Sequence, residues 1–262
     1  MKNHFLYAYS GNKRNEIESL FNIINFDNIT TIVEPFCGSS AMSYYISTKH
    51  PKKFKYILND MDDQLIKIYN IFKSEDEIET VNEKINILID NFNSYTNDEE
   101  RKNYYLTLTK NNDIESYIFI HKYCSIRKGL YPQMTRIKQI KKLDLRTIPI
   151  YNFIKNEDVT FTINDGLNVL INYKDDKSNL LLIDPPYMSE CNVFYKTSAL
   201  NKLNIYEYMH YNSINEYICD LYLIVSRTWT MELLFKNNIK LEYDKIYQMK
   251  KKHTKHIIIS KV

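Results

Sequence analysis

The chain has 262 residues, 44% of them hydrophobic, which suits one globular unit of ordinary size or a core carrying an insertion and argues against wholesale disorder. Its 35 basic and 32 acidic residues leave a net charge of +3 that selects no partner by itself, and 4 Gly with 6 Pro leave little material for long flexible linkers. No stretch approaches the roughly 20 apolar residues of a membrane span, the N-terminus lacks the apolar core of a signal peptide, and Cys37, Cys124, Cys191 and Cys219 form no CxxC pair, so reduced thiols in a cytoplasmic setting are expected.

In chain order, Thr30 to Glu34 is a short β-rich run followed by the turn Pro35-Phe36-Cys37-Gly38-Ser39-Ser40. The spacing predicts a helix over Ala41 to Lys49, with Ser39 or Ser40 as its cap. Lys55 to Leu58 reads as a second strand ending at Asn59-Asp60. Leu65, Ile68, Tyr69 and Phe72 then repeat at helical intervals over Gln64 to Phe72. A long stretch of mainly helical periodicity comes next. Acids crowd its Ser74 to Glu100 part, whereas bases crowd His121 to Arg146, among them Arg127, Lys128 and Arg136, interleaved with Tyr131, Pro132 and Gln133. Such a mixture suits contact with phosphates and base edges, or else forms a solvated helix face. The Lys250 to His256 run is equally open between a phosphate contact and an exposed hairpin turn. Strand signals return at Val159 to Ile163, Leu180 to Ile183 and Leu221 to Val225, and a closing antiparallel pair is expected over Leu241 to Met249 and His256 to Ser260. The alternation predicts an α/β fold, a doubly wound parallel sheet interrupted by a mainly helical insertion.

Two places in this pattern carry chemistry. At Leu180 to Tyr187 an apolar run ends in Asp184-Pro185-Pro186-Tyr187. Proline stops the strand ladder and keeps the preceding residue extended. Asp184 and Tyr187 are thereby held at the carboxyl edge of the sheet, where open α/β folds bind ligands. A carboxylate and a flat ring across a stiff turn suit a planar amino-bearing base. The second place is the Gly38 loop, where a helix start offers amide groups and a positive dipole end to an electron-rich ligand. Asp60 stands 22 residues further on, at the next strand tip, where an acid can bind ribose hydroxyls. The Gly-x-Gly-x-x-Gly pattern is absent, so the loop fits a ligand without phosphates, such as S-adenosylmethionine (SAM). An ordinary βα turn, with Asp60 as a helix cap, is the competing reading. No His/Cys cluster has metal-ligand spacing, and no metal is expected.

Taken together, Tyr9-Ser10-Gly11-Asn12-Lys13-Arg14, then Glu34-Pro35-Phe36-Cys37-Gly38 with Asp60, then Asp184-Pro185-Pro186-Tyr187 resemble the Dam-type adenine-N6 DNA methyltransferases. These belong to the group ordered as cofactor loop, target-recognition insertion and catalytic tetrapeptide. Asp60, Asp62 and Leu65 fit the family's Asp-x-Asn-x-x-Leu stretch in part, and Arg127-Lys128-Gly129 with Tyr131-Pro132 looks like the family's basic DNA-contacting hairpin. Asn12, Ser39 and Ser40 stand where the family has glycines. Ile120 to Cys124 lacks the family's Phe-Asn-Gly-Leu element, so no recognition sequence carries over.

The resemblance implies a Rossmann-like SAM-dependent methyltransferase sheet from residues 1–73 and 150–262, with 74–149 as a mainly helical target-recognition insertion. It implies Asp184, Pro185, Pro186 and Tyr187 as catalytic residues. SAM would be held by Tyr9, Gly11, Lys13, Phe36, Gly38, Asp60, Asp165 and Asp184, although Asp165 also reads as part of an Asn164-Asp165-Gly166 turn. Arg127, Lys128, Tyr131 and Arg136 would meet double-stranded DNA. The expected protein is a monomer or homodimer acting away from membranes. RNA adenine methylation and a non-catalytic nucleic-acid-binding relative are the alternatives. Trp229 is expected in the core, and His121, His253 and His256 at the surface.

Overall fold

The computed structural model describes residues 3–7, 9, 13, 16–127, 131–134, 139–186, 214–247 and 252–261, with the backbone alone at 124–127, 131–134, 245–247 and 252–254. Its strands are β1 (Thr31–Glu34), β2 (Lys55–Asn59), β3 (Cys124–Arg127), β4 (Tyr131–Met134), β5 (Asp158–Thr162), β6 (Asn179–Ile183), β7 (Asp220–Ser226), β8 (Ile239–Tyr247) and β9 (Lys252–Ile259). Seven form one sheet in the order β5-β2-β1-β6-β7-β9-β8, while β3 and β4 form an antiparallel hairpin of their own. β5, β2, β1, β6 and β7 are mutually parallel, and β9 runs against both of its neighbours, β7 and β8. The expected closing antiparallel pair is therefore present. Part of the Lys250 to His256 run belongs to β9 rather than to a turn.

Strand burial follows strand position. All five residues of the central β6 are buried, as a strand covered on both faces requires, whereas the edge strand β5 buries only Val159. Side chains then sort by the two-residue period of a strand. Ile32, Tyr56, Leu58, Leu180, Leu182, Tyr222, Ile224 and Ile258 join one core cluster. Val33, Ile57, Leu181, Ile183, Leu221, Leu223, Val225, Ile257 and Ile259 join the cluster on the other face.

The first face is covered by α1 (Ile17–Phe21), α2 (Ala41–Lys49), α3 (Asp63–Ile71) and α7 (Pro149–Asn156), and the same cluster continues into α4 (Glu75–Ser94), α5 (Asp98–Leu108) and α6 (Ile114–Tyr123). The second face is covered by α8 (Gly166–Tyr173) and α9 (Trp229–Phe235). The helical stretch between β2 and β5 thus shares its apolar interior with the sheet. Among the described residues, no helix is long and apolar enough to cross a membrane.

Three local expectations are corrected. Ser40 occupies the cap position of α2 in the left-handed region (φ 51°) without a side-chain cap bond; its hydroxyl donates instead to the Tyr69 hydroxyl (3.1 Å). Trp229 is 76% exposed, because α9 turns Met231 and Phe235 inward and leaves Trp229 on its outer face. His256 is fully buried, since β9 is an internal strand, and His121 is half-buried between the Tyr7 and Tyr117 rings.

Candidate active site

The strand order reverses between β1 and β6, so the loops that leave their carboxyl ends diverge and open a crevice. One loop is Pro35 to Ser40; the other begins Asp184-Pro185-Pro186. Val33 pairs with Leu181, which puts Asp184 two residues further along the strand direction than Glu34. Both acids follow the parity of Ile32, Leu180 and Leu182, so they lean toward the same face of the sheet.

The crevice floor is tied together by hydrogen bonds between strand tips. The Asn59 side chain, fully buried, donates to the Pro35 carbonyl (2.9 Å) and the Asn164 carbonyl (2.9 Å) and accepts from the Thr162 hydroxyl (2.8 Å). Cys37 N–H donates to the Asn59 carbonyl (2.7 Å), and Asp60 N–H to the Thr162 carbonyl (3.2 Å). These bonds fix the ends of β1, β2 and β5 against one another.

The Gly38 loop is built around a turn that needs glycine. Gly38 has φ +47°, and a Cβ there would stand 2.8 Å from Cε1 of Tyr9, whose ring covers the loop. Its carbonyl accepts from the Tyr69 hydroxyl (2.6 Å) and its N–H donates to Asp60 Oδ2 (2.9 Å). Asp60 Oδ1 accepts from Asp62 N–H (3.0 Å), while the cap of α3 is Asp62. An ionised carboxylate has about four acceptor sites, so these bonds leave Asp60 capacity for ribose hydroxyls. Burial raises the Asp60 pKa, and the backbone donors partly oppose that rise.

The N-terminal segment closes over this loop. His4 donates through Nε2 to the Ser39 carbonyl (2.7 Å) and stacks on Tyr44, with ring centroids 5.0 Å apart. Lys13, buried, forms an ion pair with the Asp184 carboxylate. Glu34 lies close enough to feel both charges. It is 1% exposed and accepts from Ser43 N–H (2.8 Å) and from the Ser43 hydroxyl. Burial pushes the Glu34 pKa up to about 8, with Asp184 adding to the rise and Ser43 and Lys13 opposing it.

Phe36 turns toward the first residue of α8, where a Cβ on Gly166 would overlap its ring. Asp165 caps α8 by accepting from Leu167 N–H (2.9 Å), the local role that its turn reading anticipates, and it stands exposed just past β5. The structure therefore brings together Tyr9, Lys13, Phe36, Gly38, Asp60, Asp165, Asp184, Pro185 and Pro186 at one edge of the sheet. Gly11, Tyr187, Lys128 and Arg136 lie outside the described residues, and only the backbone of Arg127 and Tyr131 is described, pairing across the β3–β4 hairpin. Sequence reasoning assigned no role to Glu34, Ser43, His4 or Asn59. The signal available for Glu34 was an acid closing an apolar strand, a position where burial is expected.

A model of the D12 class N6 adenine-specific DNA methyltransferases matches residues 9–215, from Tyr9 through the Gly38 loop and the Asp184 turn. The chain belongs to this family. Its reaction is the methylation of adenine N6 in DNA with SAM as methyl donor. The type II methyltransferase M.CviBI of Paramecium bursaria Chlorella virus NC1A is 23% identical over 259 residues, covering 94% of this chain and 91% of that protein. The type II methyltransferase M.MjaIII of Methanocaldococcus jannaschii is 26% identical over 202 residues, covering 69% of this chain and 65% of that one. Among solved structures, the rRNA methyltransferase aviRa from Streptomyces viridochromogenes aligns with 99% of this chain and 90% of its own at a TM-score of 0.44 and 10% identity, too loose a likeness to argue from.

The residues present fit SAM. The turn at Gly38 admits no side chain beneath Tyr9, and Asp60 keeps acceptor capacity beside it.

Proposed function

We propose that the family reaction runs at the β1–β6 crevice on an adenine turned out of a DNA duplex, with Asp184 and the Pro185 carbonyl accepting the two hydrogens of its N6 amine. The observation that carries this reading is the placement of Asp184, at the end of a fully buried central strand, beside the Gly38 loop and paired with buried Lys13.

The amine needs such help because its lone pair is delocalised into the purine ring. Two acceptors on the N–H groups favour a tetrahedral nitrogen whose lone pair leaves the ring plane. SAM supplies the methyl on a sulfonium, already activated. The chain's own contribution is then placement and a fixed electrostatic frame. Lys13 pairs with the Asp184 carboxylate, and an ionised carboxylate is the accepting form the amine needs. Pro185 and Pro186 keep the turn from joining the ladder, and the Pro185 carbonyl is assigned as the second acceptor. Tyr187 is assigned by resemblance as the face on which the base rests, a stacking worth about 1–3 kcal/mol. Tyr9, Gly11, Lys13, Phe36, Gly38, Asp60, Asp165 and Asp184 are assigned to SAM, Asp60 through ribose hydroxyls. An exocyclic amine inside a duplex is out of reach, so the base must leave the stack.

The hairpin β3–β4, carrying Arg127, Lys128 and Tyr131, together with Arg136, is assigned to the DNA backbone and groove. Residues 74–149 are read as the recognition insertion of a catalytic unit formed by 1–73 and 150–262. The type II names of the two relatives support site-specific methylation. DNA as substrate implies an intracellular setting, which agrees with Cys37 and Cys219 being buried free thiols.

Tritiated methyl transfer onto mixed genomic DNA, followed by nucleoside digestion and mapping, tests this. N6-methyladenine at a defined sequence is expected from the native chain, and almost none from Asp184→Asn. Label on cytosine would overturn adenine as the substrate base, and an Asp184→Asn variant with near-native turnover would remove Asp184 from the chemistry.

A further inference from the structure

Three asparagines of α4 hold one stretch of backbone. Asn93 accepts from Ile140 N–H (2.9 Å) and donates to the Ile140 carbonyl (2.8 Å). Asn86 does the same with Leu143 (2.8 and 2.9 Å). Asn82 accepts from Leu145 N–H (2.9 Å) and donates to the Asp144 carboxylate (3.0 Å). The helix rises ~1.5 Å per residue, so the three side chains are set about 6 and 10.5 Å apart along one face. The residues they grip are two and three positions apart, which in extended chain at ~3.3 Å per residue is about 6.6 and 10 Å. The two repeats match, and α4 and the held segment run antiparallel.

A primary amide is the side chain this arrangement needs, because it offers an acceptor and a donor to one residue's N–H and C=O, as a neighbouring strand would. Aspartate has no donor, and glutamine adds a methylene that breaks the spacing. Ile140, Leu143 and Leu145 are buried beneath the ladder, so the segment is fixed through both backbone and side chains.

The held segment is the return leg of the β3–β4 hairpin, whose last strand ends at Met134. The outgoing leg is α6, which runs directly into β3 and packs against α4. Both roots of the hairpin are thus referred to one helix. α6 is in turn tied to the cofactor side of the molecule, since Lys122 Nζ donates to the Leu6 carbonyl (3.1 Å) and the Tyr117 hydroxyl to Asp62 (3.4 Å).

We infer that Asn82, Asn86 and Asn93 are positioning residues for DNA, which root the hairpin against the catalytic body without touching substrate. The inference rests on the reading of the hairpin as a DNA contact. It is tested in the full chain with Asn93→Ala, with Asn86→Ala plus Asn93→Ala, and with Arg127→Ala plus Lys128→Ala. Methyl transfer onto sheared genomic duplex DNA gives kcat and the KM for DNA, and calorimetry gives the Kd for SAM.

The double asparagine variant is expected to raise the KM for DNA about tenfold, equivalent to one or two net hydrogen bonds. Its kcat at saturating DNA and its Kd for SAM are expected to stay near the native values. Asn93→Ala, which removes the rung nearest the hairpin, is expected to move the same parameter in the same direction by a smaller factor. An Asn93→Ala protein with lowered Tm but native KM for DNA overturns the inference, because the rung would then serve stability alone. So does a joint loss of SAM and DNA binding in that single variant. If the arginine–lysine variant binds DNA normally, the hairpin reading fails and the inference falls with it. If that variant is impaired while both asparagine variants are native in KM, only the ladder's role is lost.

Discussion

Glu34→Gln tests the electrostatics around the Lys13–Asp184 pair. Ser43 donates twice to Oε1 of Glu34, so the acid proton belongs on Oε2, and glutamine reproduces that neutral form with its amide. In the native chain this carboxyl ionises near its ordinary 4.5 when unfolded and at about 8 when folded. Between those values the unfolded chain has released a proton that the folded chain keeps. Stability therefore falls as pH rises through this window, is fully present below 4.5, and is lost above about 8. The whole loss corresponds to about 5 kcal/mol, a large share of the roughly 5–15 kcal/mol that holds a domain folded.

Glu34→Gln has no proton to release and should abolish this component. It should match the native protein near pH 4.5 and exceed it by up to about 5 kcal/mol at pH 8. Urea unfolding at pH 5, 6.5 and 8, with m-values compared to exclude a changed denatured state, measures the difference. Methyl transfer by the variant should remain near native, since a neutral residue 34 leaves Lys13 committed to Asp184. Native stability that rises across the window, or a glutamine variant with the native slope, would refute the argument.

Asp184→Asn should reduce turnover by a far larger factor than it weakens SAM binding, read by calorimetry; equal losses in the two would deny Asp184 a role in the chemistry beyond holding the cofactor. Asp184→Ala should also cost about 3 kcal/mol in urea unfolding, because it takes the paired carboxylate away from buried Lys13. Gly38→Ala forces alanine into φ +47° with its Cβ 2.8 Å from Tyr9, and at about 1–2 kcal/mol of strain it should weaken SAM binding roughly tenfold. An unchanged Kd would show that Tyr9 yields freely. Neutralising Arg127 and Lys128 should weaken DNA binding and flatten its logarithmic salt dependence by about 1.8, two contacts at ~0.9 each. A native slope would return the hairpin to a solvated surface.

Much of this was legible from local pattern. The strands over Leu180 to Ile183 and Leu221 to Val225 declared themselves because a strand covered on both faces must be apolar throughout. The Asp184-Pro185-Pro186 turn was legible because proline ends a ladder wherever it falls. Trp229 and His256 misled for the same physical reason. Composition ranks aromatic and basic residues by average burial, whereas their exposure was set by which face of α9 and which strand of the sheet they occupy.

Sequence alone determined the order of elements, the sharp stop at the carboxyl edge and the kind of ligand such an edge accepts, since these depend on periodicity and on residues within a few positions of one another. Only the tertiary structure decided that Lys13 pairs with Asp184, that burial near them raises the pKa of Glu34, and that Asn82, Asn86 and Asn93 hold the chain at 140–145. Each of these joins residues far apart along the chain, and each depends on how much water the packed elements exclude, which no local pattern encodes.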